Sequence, residues 1–174
     1  ASAGMAVLYV RSEANLRRAL EAEKTARRAA TTAERTTDFM VDLFHRANPT
    51  RSRGETVTAK EVMDEGARGL QAELKDEPVV RARLMLTIGQ VYRSLALYEP
   101  ARQLNEQGLA LTRQHLPADG PEVTAGVQSY AQILEDQGQR QEARAAYREA
   151  ITLAEKRGPA GADALVEALG NYGS

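Results

Sequence analysis

The sequence predicts an all-α protein: a long N-terminal helix followed by a right-handed α-solenoid of helix pairs with a 42-residue period. Three observations lead there. Ala supplies about one residue in six, Trp is absent and aromatics are 5%, a composition that favours helix. From Arg11 to about Phe44 no Pro or Gly interrupts the chain. And the second half matches itself when shifted by 42 residues.

At 174 residues the chain has room for one ordinary domain or a short repeat array. Lys and Arg number 23 against 24 Asp and Glu, and a net charge of -1 argues against a nucleic-acid binder held by phosphate contacts. The absence of Cys excludes disulfides, a thiolate zinc site and a cysteine nucleophile.

The elements follow in order. Ala1–Val10 is apolar and uncharged. Ten residues are half of what a bilayer span needs, so this segment reads as the tail of a longer apolar stretch or as a helix end packed on a partner. In the helix that follows, Ala19, Ala22, Ala26, Ala29 and Ala33 recur at 3-4 spacing, continued by Thr36, Met40 and Leu43. Such a seam lets two helices approach closely, although alanines bury little apolar area each. The segment 11–48 is therefore expected as one stalk helix, ending near Ala47-Asn48-Pro49 and followed by a polar loop over Thr50–Glu55. Thr58 with Glu61 three residues later is a capping box, which starts a helix from about Ala59 to Leu74. Asp76-Glu77-Pro78 opens the next.

At the 42-residue offset Gln90 falls on Gln132, Ala101 on Ala143, Arg102 on Arg144, Leu111 on Leu153 and Pro117 on Pro159. One step back, Ala59, Val62 and Gly66 fall on Ala101, Leu104 and Gly108. One step forward, Leu169 falls on Val127 and Gly173 on Ala131. The array then occupies 57–174: a half repeat 57–81, full repeats 82–123 and 124–165, and a truncated repeat 166–174. Each full unit reads as helix, turn at Leu95–Tyr98, helix. Small residues belong where the paired helices cross, at Ala101, Gly108, Ala143 and Ala150, because a larger side chain would part the axes.

The residues Gly89, Tyr92, Ala96, Tyr98, Ala101 and Gly108, then Ala131, Leu134, Gly138, Ala143, Tyr147 and Ala150, resemble the tetratricopeptide repeat (TPR), at a longer spacing than its usual 34 residues. Two positions depart from the pattern: Asn105 stands where a large apolar residue is usual, and Arg140 replaces the aromatic found at Tyr98. A second, narrower resemblance covers about residues 1–98. Thr37-Asp38-Phe39-Met40-Val41-Asp42-Leu43-Phe44, Asn48-Pro49, Thr58–Ala67 and Leu84–Tyr92 look like the C-terminal, post-transmembrane region of bacterial serine/threonine protein kinases that carry TPR repeats. That resemblance implies a kinase domain upstream, a membrane span ending in Ala1–Val10, a juxtamembrane stalk and an extracytoplasmic array.

No catalytic constellation stands in the sequence itself, so no catalytic residue, cofactor or metal is expected. There is no glycine-rich phosphate loop and no kinase catalytic signature. His45, beside Phe44, and His115, at a helix exit where an imidazolium suits the dipole, read as packed or solvated side chains. Glu135-Asp136 and the Asp163 and Glu167 pair read as solvated faces.

Function is then expected from surfaces. The TPR resemblance implies that the first helix of each unit lines the binding groove, which assigns Arg83, Leu86, Gln90 and Arg93, then Gln128, Gln132 and Asp136, as contacts to a protein or peptide partner. Glutamines suit an extended backbone and the arginines an acidic segment. Leu86 stands where a carboxylate clamp would need Lys. The expected partners are thus a protein or peptide and a second copy through the alanine seam. No nucleic acid is expected, and membrane contact only through a segment upstream of or including residues 1–10. The alternative is a soluble cytoplasmic TPR scaffold or adaptor unconnected with a kinase. The stalk's seven basic and four acidic residues from Arg11 to Arg35 sit awkwardly outside the cytoplasm.

Overall fold

The computed structural model describes residues 2–46 and 58–172, and only the backbone of residues 2–12, 44 and 46. The Thr50–Glu55 loop, the helix end at 47–49, Ala1 and Gly173 lie outside the described residues. Among those described, the chain forms seven α-helices and a single 3-10 turn, with no strand. The helices are α1 Ser2–Arg46, α2 Ala59–Glu73, α3 Pro78–Ser94, α4 Tyr98–His115, α5 Pro121–Asp136, α6 Arg140–Lys156 and α7 Ala162–Tyr172. No helix of the described residues is long and apolar enough to cross a membrane.

The chain divides into two compact units, Ala1–Asp38 and Phe39–Ser174. In the first, every side chain described is exposed apart from half-buried Thr32 and Thr36. The alanine seam is thus open along its length. Its threonines bond back into the helix: Thr25, Thr32, Thr36 and Thr37 each donate a hydroxyl to the carbonyl four residues earlier.

The second unit begins within the segment expected as stalk. Phe39 and Leu43, at the end of α1, are buried in a core with Val62, Met63 and Leu70 of α2. Leu43 is fully buried, as is Val127 and nearly so Met85, at the same place in the 42-residue frame. A Cβ on Gly66 would come 2.7 Å from Leu43 Cδ2, so glycine there admits the leucine. The tail of α1 thus packs against α2 as part of the same core. Burying Leu43 contributes about 2 kcal/mol.

α2 starts as predicted. Thr58 caps it by accepting from the Glu61 backbone N–H at 3.2 Å, and Glu61 reaches back to the Thr58 N–H at 2.8 Å. Donation from the Thr58 backbone N–H, and then from its hydroxyl, holds the Glu61 carboxyl below its ordinary pKa. Helices α3 with α4 and α5 with α6 form the two full pairs; α4 packs on α5, and α6 on α7. α4 and α6 start 42 residues apart, at Tyr98 and Arg140.

The two intervening turns are the same structure. Leu97 N–H bonds to Tyr92 carbonyl and Ala96 N–H to Arg93 carbonyl; Gln139 and Gly138 repeat this with Leu134 and Glu135. Both turns place one residue in the left-handed region, Ala96 at φ 56° and Gly138 at φ 77°. Because α4 begins at Tyr98, Pro100 is its third residue, still in the first turn where its missing N–H breaks no helical bond.

The crossings are close, as the small residues require. A Cβ on Gly89 would lie 3.3 Å from the Ala101 carbonyl oxygen, and one on Gly108 3.1 Å from the Ala82 carbonyl oxygen. Ala101, Ala131 and Ala150 are fully buried and Ala143 nearly so. Tyr92 ties α3 to α2 through a 2.7 Å hydrogen bond from its hydroxyl to Asp64. Tyr147 ties α6 to α5 through Glu135 at 2.9 Å. Burial first, and then each carboxylate, raise both phenol pKa values well above ordinary.

Candidate functional site

The first helices of the two full pairs, α3 and α5, contact each other. Four of the seven candidate residues meet there in one network. Arg93 Nε donates to Asp136 Oδ2 at 2.6 Å, and its Nη1 donates to Gln132 Oε1 at 3.1 Å and Gln90 Oε1 at 3.4 Å. Gln90 Nε2 in turn donates to Ser129 Oγ. Arg93 and Asp136 remain about a third exposed, so their ion pair is screened and contributes modestly.

Ser129 also accepts from Asn105 Nδ2 at 2.5 Å. Asn105 is fully buried in a position where an apolar residue was expected, and its Oδ1 has no partner. The serine satisfies the amide's Nδ2 and so offsets part of the cost of burying it. Spacing alone gives no sign of Ser129, a small polar residue between Gln128 and Gln132.

Gln128 is set apart from this network. It is 5% exposed and donates to the Ala164 carbonyl at 3.1 Å, so α7 covers it. Arg83 and Leu86 lie elsewhere again, along a cleft of about 390 Å³. Val79 and Thr87 of α3, Thr112 and Leu116 at the end of α4, and Pro121, Glu122 and Ala125 at the start of α5 complete its walls. Arg83 and Glu122 face each other across it at 3.8 Å, both more than a third exposed, a contact too long to lock either group. The cleft can seat an apolar side chain between two charges of opposite sign. Its α4 and α5 walls could not be read from the sequence, because they depend on which way α4 exits toward α5.

The remaining titratable candidates take ordinary places. His45 and His115 are exposed, His115 as the last residue of α4. Glu135 accepts from Tyr147 and Asp136 from Arg93, while Asp163 and Glu167 are exposed. Among the described residues no group of His, Asp and Glu could hold a metal ion.

Residues 128–157, the second half of α5 and all of α6, match the family model described as tetratricopeptide repeat. No curated protein matches the chain. The chain thus holds a TPR-like repeat in an all-α fold, a class that is typically non-catalytic and generally mediates contacts between proteins.

Proposed function

We propose that this chain is a protein-binding and dimerisation region, the non-catalytic TPR tail of a membrane-anchored bacterial serine/threonine protein kinase with its repeats outside the cytoplasm. The observation that carries the binding half is the Arg83–Leu86 cleft on the side of α3 that faces α5, next to a recognised repeat. Its apolar floor and paired charges suit an extended segment with one apolar anchor beside an acidic residue. The Arg93 network holds the two first helices together beneath such a segment. The resemblance of residues 1–98 to post-transmembrane kinase segments supports the kinase half, with Ala1–Val10 as the end of the span. The open alanine seam from Ala19 to Ala33 supports pairing of two chains, which would bring two kinase domains together. This reading requires no cofactor in this chain.

A cytoplasmic scaffold is favoured by one observation, the basic excess of the stalk. The coding sequence upstream of Ala1 separates the two. A kinase domain followed by an apolar stretch that completes a span supports the tail; a start codon or further soluble repeats overturns it. Binding is tested by selecting a random peptide library on the full chain. Enriched peptides should pair an apolar with an acidic residue and bind Leu86→Asp about tenfold less tightly, as expected for burying a charge in an apolar seat. Peptides indifferent to Leu86→Asp refute the cleft.

A further inference from the structure

On the opposite side of the second full pair from the α3–α5 network lies a second groove, of about 530 Å³, between α4 and α6. It exists because Ala110 of α4 and Ala145 and Ala146 of α6 are small where the two helices face each other. Leu109, Val127 and Leu134 form an apolar floor. Its rim is acidic. Glu106 accepts from the Tyr130 hydroxyl at 2.9 Å and pairs with Arg102 at 3.3 Å, and Glu149 pairs with Arg113 at 2.5 Å, whereas Glu142 forms no ion pair with a described residue and is the rim charge left for a partner.

The first compact unit carries the complementary surface. Leu16 and Leu20 are 61% and 55% exposed, large apolar side chains one turn apart among the charged residues of the first unit. The same stripe continues to Lys24 and Arg27. Residues 16–28 hold five basic side chains and two acidic. Lys24 forms no ion pair with a described residue, and Arg27 holds only its exposed neighbour Glu23. From Leu16 to Lys24 the helix rises about 12 Å, and from Glu142 to Glu149 about 10 Å, so stripe and groove match in length. The stripe lies on the far side of α1 from the alanine seam, roughly 140° round the helix at 100° per residue. Pairing through one face leaves the other free.

We propose that the groove between α4 and α6 docks the Leu16–Leu20–Lys24 stripe of a second copy of this chain. The leucines cover the Leu109–Val127–Leu134 floor, and Lys24 meets Glu142. Apolar seating supplies affinity and the charges fix register, as at other interfaces with a charged rim.

The cysteine-free sequence makes this directly testable on the full chain. Leu20→Cys is placed in one tagged copy and Ala145→Cys, at an exposed groove position, in another, and the two are mixed under mild oxidation. A crosslinked heterodimer is expected. Its yield should fall about tenfold with Glu142→Lys or with Lys24→Glu, and recover when both reversals are present in opposite partners. Circular dichroism confirms that each variant remains folded. Absence of the heterodimer, a Leu20→Cys homodimer alone, or a crosslink indifferent to both reversals overturns the proposal. Alanine-seam pairing is scored separately, by the mass of an Ala22→Glu, Ala26→Glu variant, so failure of one leaves the other readable.

Discussion

Replacing Ala96 by glycine should make this protein more stable, against the usual direction for an alanine-to-glycine change. Ala96 holds φ 56° in the turn between α3 and α4, while the corresponding turn between α5 and α6 uses Gly138 at φ 77°. Left-handed backbone costs an L-residue about 1–2 kcal/mol, because Cβ crowds the following carbonyl. Glycine returns about 0.5–1 kcal/mol of that through the greater freedom of its unfolded chain. Ala96 is exposed, so its methyl contributes little packing. The net expectation is a gain of about 0.5–1 kcal/mol, or about 2–4 °C in Tm at most for a chain of this size. Gly138→Ala provides the mirror experiment. No atom lies within 4 Å of a Cβ built there, so its net loss of about 0.5–1 kcal/mol would be backbone strain less the unfolded-chain freedom that alanine removes, with no packing contribution. Urea unfolding followed by circular dichroism reads both. If Ala96→Gly destabilises the chain while Gly138→Ala is neutral, the two turns are not equivalent in solution and the argument from the 42-residue repeat fails at this point.

Two further outcomes follow from the packing. Gly89→Val drives a branched side chain against the Ala101 carbonyl, which as backbone cannot move aside, and should cost about 1–3 kcal/mol in the same unfolding experiment. Tyr92→Phe removes the hydroxyl bonded to Asp64, with an expected loss of about 1 kcal/mol near neutral pH. That loss should depend on pH. Hydrogen bonds from Lys60 and then Tyr92 lower the Asp64 pKa in the folded state. The stabilisation is therefore present above the unfolded carboxyl pKa of about 3.9 and is lost as pH falls through the lower folded value. Wild type and Tyr92→Phe should converge in acid; an unchanged difference there would remove Asp64 from the account.

Much of the architecture is written in local patterns. The capping box at Thr58 and Glu61 and the proline that opens α3 depend on residues a few positions apart, and Ala101 and Gly108 recur as Ala143 and Ala150 at one fixed offset. A repeat then converts one local reading into several. The pairing of α3 with α4 also followed, since a short turn leaves consecutive helices no choice but to lie antiparallel and adjacent.

What the sequence could not decide is which side chains meet across helices that are not consecutive. Arg93 and Asp136 were both legible as face residues, yet their ion pair depends on how closely α3 approaches α5. Gln128 carries the same helical phase as Leu86, but α7 lies over it and nothing covers Leu86 to the same degree. Asn105 read as a departure from its pattern; only the approach of α5, which brings Ser129 to its amide, explains how it is tolerated. Leu43 continued the stalk's seam in sequence, and became core with Phe39 because Gly66 leaves room for it against α2. Periodicity by itself determined that this protein is a set of paired helices with a repeating turn. The partners of its polar face, and the point where helix becomes core, were decided by the distance between helix axes, which the small residues at each crossing set and no single segment encodes.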